Sequence, residues 1–132
     1  MLTKTIAAIS TALQDGAISI IRLSGPDALA IADSVFSGDV LHQPANTIRY
    51  GTILKDGEPL DEVLLSVFRA PHSYSGMDMV EINAHGGVLI TRRILQLLLS
   101  KGAVLAEPGE FTRQAFLTGR IDLAQAEAVN DM

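Results

Sequence analysis

Residues 47–68 read TIRYGTILKDGEPLDEVLLSVF, two β-compatible runs joined by Asp56-Gly57. Asp-Gly supplies the positive-φ corner that a tight turn between antiparallel strands needs, so Thr47 to Lys55 and Leu60 to Phe68 read as the arms of a hairpin. The second arm is apolar at Val63, Leu64, Leu65, Val67 and Phe68 with Ser66 among them, which predicts a strand covered on both faces. This hairpin decides the fold class. A doubly wound parallel sheet joins neighbouring strands by long crossovers, whereas here a tight turn sits among irregularly alternating strands and helices, so the pattern predicts α+β with a mixed sheet and packed helices.

On the N-terminal side, Thr5 to Ser10 and Ala17 to Ser24 are short, β-branched, largely apolar runs separated by a segment ending in the turn signal Asp15-Gly16. Ser24-Gly25-Pro26-Asp27 then opens a helix, with Pro26 suited to its first turn and Asp27 to its positive dipole end. Ala28, Leu29, Ala32, Val35 and Phe36 continue at helical spacing until Gly38. The polar stretch 37–46, with Pro44, is predicted to be an exposed connection. On the C-terminal side, a loop at 70–78 leads into a strand at Met79 to Ala84, which His85-Gly86-Gly87 punctuates. Val88 to Ser100 sets Leu89, Ile90, Ile94, Leu97 and Leu98 against Arg92, Arg93 and Gln96, an amphipathic helix closed by Lys101-Gly102. A short strand at Ala103 to Ala106 and a helix from Pro108-Gly109-Glu110 through Leu117 follow, and Gly119-Arg120 interrupts. Strong helix formers occupy 122–132 and stop without a cap, an ending that reads as a cut within a longer chain.

Composition narrows the chemistry. With 132 residues, 48% of them hydrophobic, the chain is long enough to bury a core without disulfides or a structural metal. The absence of cysteine excludes thiolate zinc sites, redox pairs and cysteine nucleophiles. Ten basic against fifteen acidic residues, a net charge of −5, oppose nucleic acid or an anionic membrane as partner of the whole surface, so any RNA contact has to be local. The longest apolar stretches, Ala17 to Leu23 and Ile94 to Leu99, fall far short of the ~20 residues that span a bilayer, and the N-terminus carries no signal-peptide pattern. A soluble, reducing, cytoplasmic setting is expected.

Neither Gly-x-x-x-x-Gly-Lys-Ser/Thr nor Gly-x-Gly-x-x-Gly occurs, so His85-Gly86-Gly87 reads either as an anion cradle at a helix start or as a tight turn with a capping histidine. His42, His72 and His85 lack metal-ligand spacing, and no nucleophile elbow is present. More informative are charges inside apolar runs, since an ionised group leaving water needs a partner. Arg22 follows Ile18, Ile20 and Ile21, and Glu81 sits between Val80 and Ile82. Each is either an outward residue on an edge strand or a cleft residue. In a cleft, the carboxylate can accept paired N–H donors of a heterocycle, and the guanidinium can hold a ligand carboxylate. Arg120, beside Gly119, is the third candidate; its alternative is a solvated cation at a helix C-terminus.

Thr5-Ile6-Ala7-Ala8-Ile9-Ser10-Thr11, Ile21-Arg22-Leu23-Ser24-Gly25, Tyr74-Ser75-Gly76, Glu81-Ile82-Asn83-Ala84-His85-Gly86-Gly87, Glu107-Pro108-Gly109-Glu110-Phe111-Thr112, Ala115-Phe116-Leu117 and Asp122-Leu123-Ala124-Gln125-Ala126-Glu127-Ala128 occur in one order. Together they closely resemble the N-terminal part of the MnmE (TrmE) tRNA-modification GTPase family, over essentially the whole chain. The resemblance implies an α+β domain, similar to the folate-binding domain of glycine-cleavage aminomethyltransferases, that binds 5-formyltetrahydrofolate and forms a homodimer; the alternatives are a freestanding one-carbon transferase related to those aminomethyltransferases and a pure assembly module with a degenerate pocket. It implies residues 1–118 for that domain and 119–132 for the start of a helical domain. GTP, Mg2+ and K+ would belong to a GTPase domain absent from this chain. With a flavin-dependent partner, MnmG, members act on carbon 5 of the wobble uridine of certain tRNAs. The resemblance places folate contacts at Arg22, Glu81 and Arg120, and no catalytic or metal-binding residue in this chain. Two departures from the family pattern stand out: Ala12-Leu13-Gln14 replaces a Pro-x-Gly run, and Ala84 and Val88 flank the His-Gly-Gly motif.

Overall fold

A computed structural model describes residues 2–10 and 18–121. Its elements are β1 (Ile6–Ile9), β2 (Ser19–Ser24), α1 (Ala28–Val35), β3 (Thr47–Lys55), β4 (Glu58–Phe68), β5 (Met79–Ala84), α2 (Gly87–Ser100), β6 (Val104–Leu105) and α3 (Glu110–Leu117). Among the described residues the strands form one sheet in the order β3-β4-β5-β2-β1-β6. Every neighbouring pair is antiparallel except β1 and β6, which run parallel, so the sheet is mixed and the fold α+β. The Asp15-Gly16 turn and the helix expected from Asp122 lie outside the described residues.

Alternation along the strands gives the sheet two unlike faces. One face carries Ile21 and Leu23 of β2, Ile53 of β3, Val63, Leu65 and Val67 of β4, and Val80 and Ile82 of β5, all fully buried. With Ala32 and Val35 of α1 and Ile94 and Leu98 of α2 they make a single core. Each such Val, Leu or Ile withdrawn from water contributes about 1.5–3 kcal/mol, which is why the two amphipathic helices settle on this face. On the other face, α3 and the loop 70–78 cover one end, where Ile6, Met79, Phe111 and Ala115 are buried. The rest of that face is open, leaving Ile48, Tyr50 and Leu64 exposed.

Three local expectations are corrected. β4 is covered on one face only: Val63, Leu65 and Val67 are buried while Leu64 stays 37% exposed, because its outward neighbours lie on the open face. A run of apolar residues cannot by itself tell a strand buried on both sides from one whose second face awaits a partner. The stretch 37–46 is not wholly exposed either. Val40 and Gln43 are buried, and the Gln43 amide donates to the carbonyls of Thr47 and Leu65, so a polar side chain anchors the connection on the sheet. Finally, α1 ends at Val35, and Phe36 turns extended to bridge Ile53.

Candidate functional site

β2 and β5 are the two central strands of the sheet, and their antiparallel register sets Arg22 directly opposite Glu81. The edge-strand reading of these two charges is therefore overturned. Arg22 donates through Nε (3.0 Å) and Nη2 (2.9 Å) to the same carboxylate oxygen, Oε2 of Glu81. Both side chains are about a quarter exposed, enough for solvent to reach them and little enough for each to need the other. The guanidinium lies 5.3 Å from the centre of the Phe111 ring and 5.7 Å from that of Tyr74, within cation–π range.

Those two rings come from α3 and the loop 70–78, which are fastened to each other. The Tyr74 hydroxyl meets the Thr112 hydroxyl at 2.8 Å. The buried Ser24 hydroxyl, at the end of β2, is hydrogen-bonded to the Ser75 hydroxyl (2.6 Å) and to the amide oxygen of Gln114. Thr118, just after α3, donates its hydroxyl proton to the Ser75 carbonyl. The first turn of α3 is pinned in turn by Glu110, whose carboxylate pairs with Lys4 at 2.9 Å and accepts the Glu107 backbone N–H. Burial pushes the Glu110 carboxyl up, but the Glu107 N–H, the Lys4 ammonium and Arg113 together outweigh it and hold it below the ordinary glutamate range.

Arg120 stands apart from the central pair. It is exposed and donates from Nε to the Ser73 carbonyl (3.0 Å), on a groove of about 200 Å3 lined by Pro71, His72, Gly76 and Thr118. The structure thus brings Arg22 and Glu81 together and links Arg120 to them through the loop 70–78. Next to Arg22, whose register partner on β1 is Ala8, a second groove of about 250 Å3 runs along Ala8, Ile9, Leu105, Pro108 and Phe111.

The His85-Gly86-Gly87 turn is occupied from within. Oδ2 of Asp61, on β4, accepts the backbone N–H of His85 (2.7 Å) and of Gly86 (2.9 Å), so a carboxylate of the chain fills the place of an anion at the start of α2. The capping-histidine reading is corrected accordingly: His85 Nδ1 instead lies 3.3 Å from the Glu62 carbonyl. Among the described residues no three His, Asp or Glu side chains gather as metal ligands, and no helix is long and apolar enough to cross a membrane.

Comparison with known families matches residues 5–120 to the family described as GTP-binding protein TrmE N-terminus. The chain belongs to that family. Arg22, Glu81 and Arg120 all fall inside the matched TrmE N-terminal span. Relatives include the tRNA modification GTPase MnmE of Lactococcus lactis subsp. cremoris strain MG1363, 61% identical over 129 residues, and that of Ligilactobacillus salivarius, 60% identical over 131 residues. The MnmE of Listeria innocua is 58% identical over 130 residues. In each case the match covers 97% of this chain but 28% of the relative, so the chain spans little more than a quarter of the MnmE proteins it resembles.

Proposed function

We propose that this TrmE N-terminal domain binds a formylated tetrahydrofolate on the open face of its sheet and pairs with a second copy of itself. It would do so as the first part of a GTPase that modifies carbon 5 of the wobble uridine of tRNA together with a flavin-dependent MnmG-type partner. The observation that carries the folate reading is the Arg22–Glu81 pair set between two aromatic rings on the central strands.

The residues fit such a ligand on four counts. Glu81 spends one oxygen on Arg22 and keeps Oε1 for a heterocyclic N–H, while Arg22 keeps Nη1 for an acceptor. The Tyr74 and Phe111 rings offer flat surfaces to a flat ring. The apolar groove beside Ala8 and Phe111 is smaller than a whole ligand of that size needs, so it takes one ring and leaves the remainder along the open face. Arg120, bonded to the loop 70–78 at the Ser73 carbonyl, is a cation for an acidic end. When bound, the folate supplies a one-carbon unit; the residues here bind and orient it. GTP, Mg2+ and K+ belong in this reading to the part of the relatives beyond the matched span.

The exposed Ile48, Tyr50 and Leu64 support self-association, since they lie on neighbouring strands of one uncovered face and register pairs Tyr50 with Leu64. A second reading, a pure assembly domain without a ligand, is favoured by one fact: Arg22 and Glu81 already neutralise each other. Isothermal titration with 5-formyltetrahydrofolate separates the two. Folate binding is expected, and Glu81→Gln should weaken it by roughly 1.5–3 kcal/mol, the scale of a charge-assisted hydrogen bond. No heat from the parent protein, or equal affinity in a folded Glu81→Gln, removes the folate reading and leaves the assembly domain.

A further inference from the structure

Residues 82–106 contain no aspartate or glutamate, yet carry Arg92, Arg93 and Lys101, in a chain whose net charge is −5. That stretch is mainly α2, so the helix presents a cationic, acid-free flank on an acidic domain. Arg93, Gln96 and Ser100 line the side of α2 nearest the β3–β4 turn, and Lys55 of β3 stands across from them. The groove between, completed by Leu60 and Leu97, measures about 350 Å3. Lys55 and Arg93 are both exposed, and neither forms an ion pair among the described residues.

We infer that this groove receives the sugar–phosphate backbone of RNA. An arginine fork and a lysine point charge facing one slot suit consecutive phosphates, and the Gln96 amide can donate to a phosphate oxygen, while the Ser100 hydroxyl, whose proton goes to the Leu97 carbonyl, is left to accept from a ribose hydroxyl. No aromatic side chain lines the groove, so it offers no stacking platform and reads backbone rather than base identity. Asp56 sits in the adjoining turn, and Glu58, the first residue of β4, is the register partner of Lys55, which keeps the attraction short-ranged and sensitive to salt. α2 packs on the core face of the sheet, whereas Arg22 and Glu81 lie on the other, so the groove and the proposed folate site are on opposite sides of the domain. The inference rests on the tRNA part of the function proposed above and is independent of the folate part.

The test is fluorescence anisotropy of the 132-residue chain with an anticodon-type RNA stem-loop over a range of salt, with polyglutamate as the competing polyanion. Replacing Lys55 and Arg93 together by alanine should weaken binding about tenfold at low salt and make the log–log salt dependence shallower by about 1.5–2. Glu58→Gln should tighten it. Titration of the double variant with 5-formyltetrahydrofolate should match the parent, so loss of RNA binding alone is told apart from failure of the folate reading. Undetectable RNA binding by the parent, or equal affinity and salt slope in the double variant, overturns the inference. So does polyglutamate binding that depends on Lys55 and Arg93 more strongly than RNA binding does, which would assign the groove to an acidic protein.

Discussion

Asp61→Ala should unfasten the start of α2. The helix has glycine at its N-cap and no side-chain cap from its own sequence, so the leading N–H groups of His85 and Gly86 depend on a carboxylate reaching over from β4. Loss of a capping side chain costs about 0.5–2 kcal/mol. Two charge-assisted bonds would put the figure higher, but water reaches this turn and replaces part of what is lost, so about 1–2 kcal/mol is expected. For a domain of this size that lowers Tm by roughly 3–8 °C. Urea denaturation should show a lower midpoint at unchanged slope, and hydrogen exchange should speed up at the amides of His85 and Gly86. Asp61→Asn, which keeps an oxygen acceptor without the charge, should fall between. The emptied cradle should also respond to sulfate, stabilising Asp61→Ala more than the parent at matched ionic strength. If Asp61→Ala stays within about 0.5 kcal/mol of the parent and those amides exchange as before, the turn holds itself and the cap is incidental.

Arg22→Lys keeps the charge but gives up the fork and the planar face toward Phe111 and Tyr74, so folate affinity should drop markedly; Arg120→Lys, exposed with one bond to Ser73, should cost less. Equal, negligible effects of the two in calorimetry would leave Arg22 a structural partner of Glu81 and take both arginines out of the folate site. Tyr50→Glu places a charge on the open apolar face and should shift sedimentation from dimer to monomer while leaving the fold intact; a parent that sediments as a monomer at tens of micromolar, by order of magnitude, removes the interface. Because the Glu110 carboxyl is held below its ordinary value near 4.5, its contribution is present above that pH and lost as pH falls through the lower folded-state value. Glu110→Gln should therefore be less stable than the parent at pH 7 and lose less on acidification, a difference that denaturation at pH 7 and in the acid limb would read; parallel curves would deny the linkage.

Local signals carried most of the fold. Asp56-Gly57, the helical spacing from Leu89 to Leu98 and the Gly86-Gly87 break each depend on neighbours in sequence, and each element formed where those signals lay. Arg22 and Glu81 were legible as well, because a charge inside an apolar run must find a partner, but that they would find each other depends on β2 lying beside β5. Adjacency of strands separated by some sixty residues has no local signature. The same holds for Asp61, which lies within the predicted arm Leu60 to Phe68 and caps a helix that begins 26 residues later, at Gly87. Thr112 and Gln114 carry no local signal of their role either, since the groups they meet, Tyr74 in the loop 70–78 and Ser24 at the end of β2, lie far away in sequence.

The parallel pairing of the first strand with the last bears on how the chain is made. β1 meets β2 early, but its outer edge is closed only when Val104 donates its N–H to Thr5 and Ala106 donates to Ala7. At ribosomal speeds of roughly 5–20 residues per second, the interval between the synthesis of Ile6 and that of Val104 is about 5–20 s. For that time the nascent chain carries a strand edge with nothing beside it, and neighbouring chains on the same polysome carry the same edge, the geometry from which intermolecular β-pairing starts. Slower elongation lengthens the exposure, so the rate of translation, as well as the stability of the finished domain, bears on how much of it is recovered in soluble form.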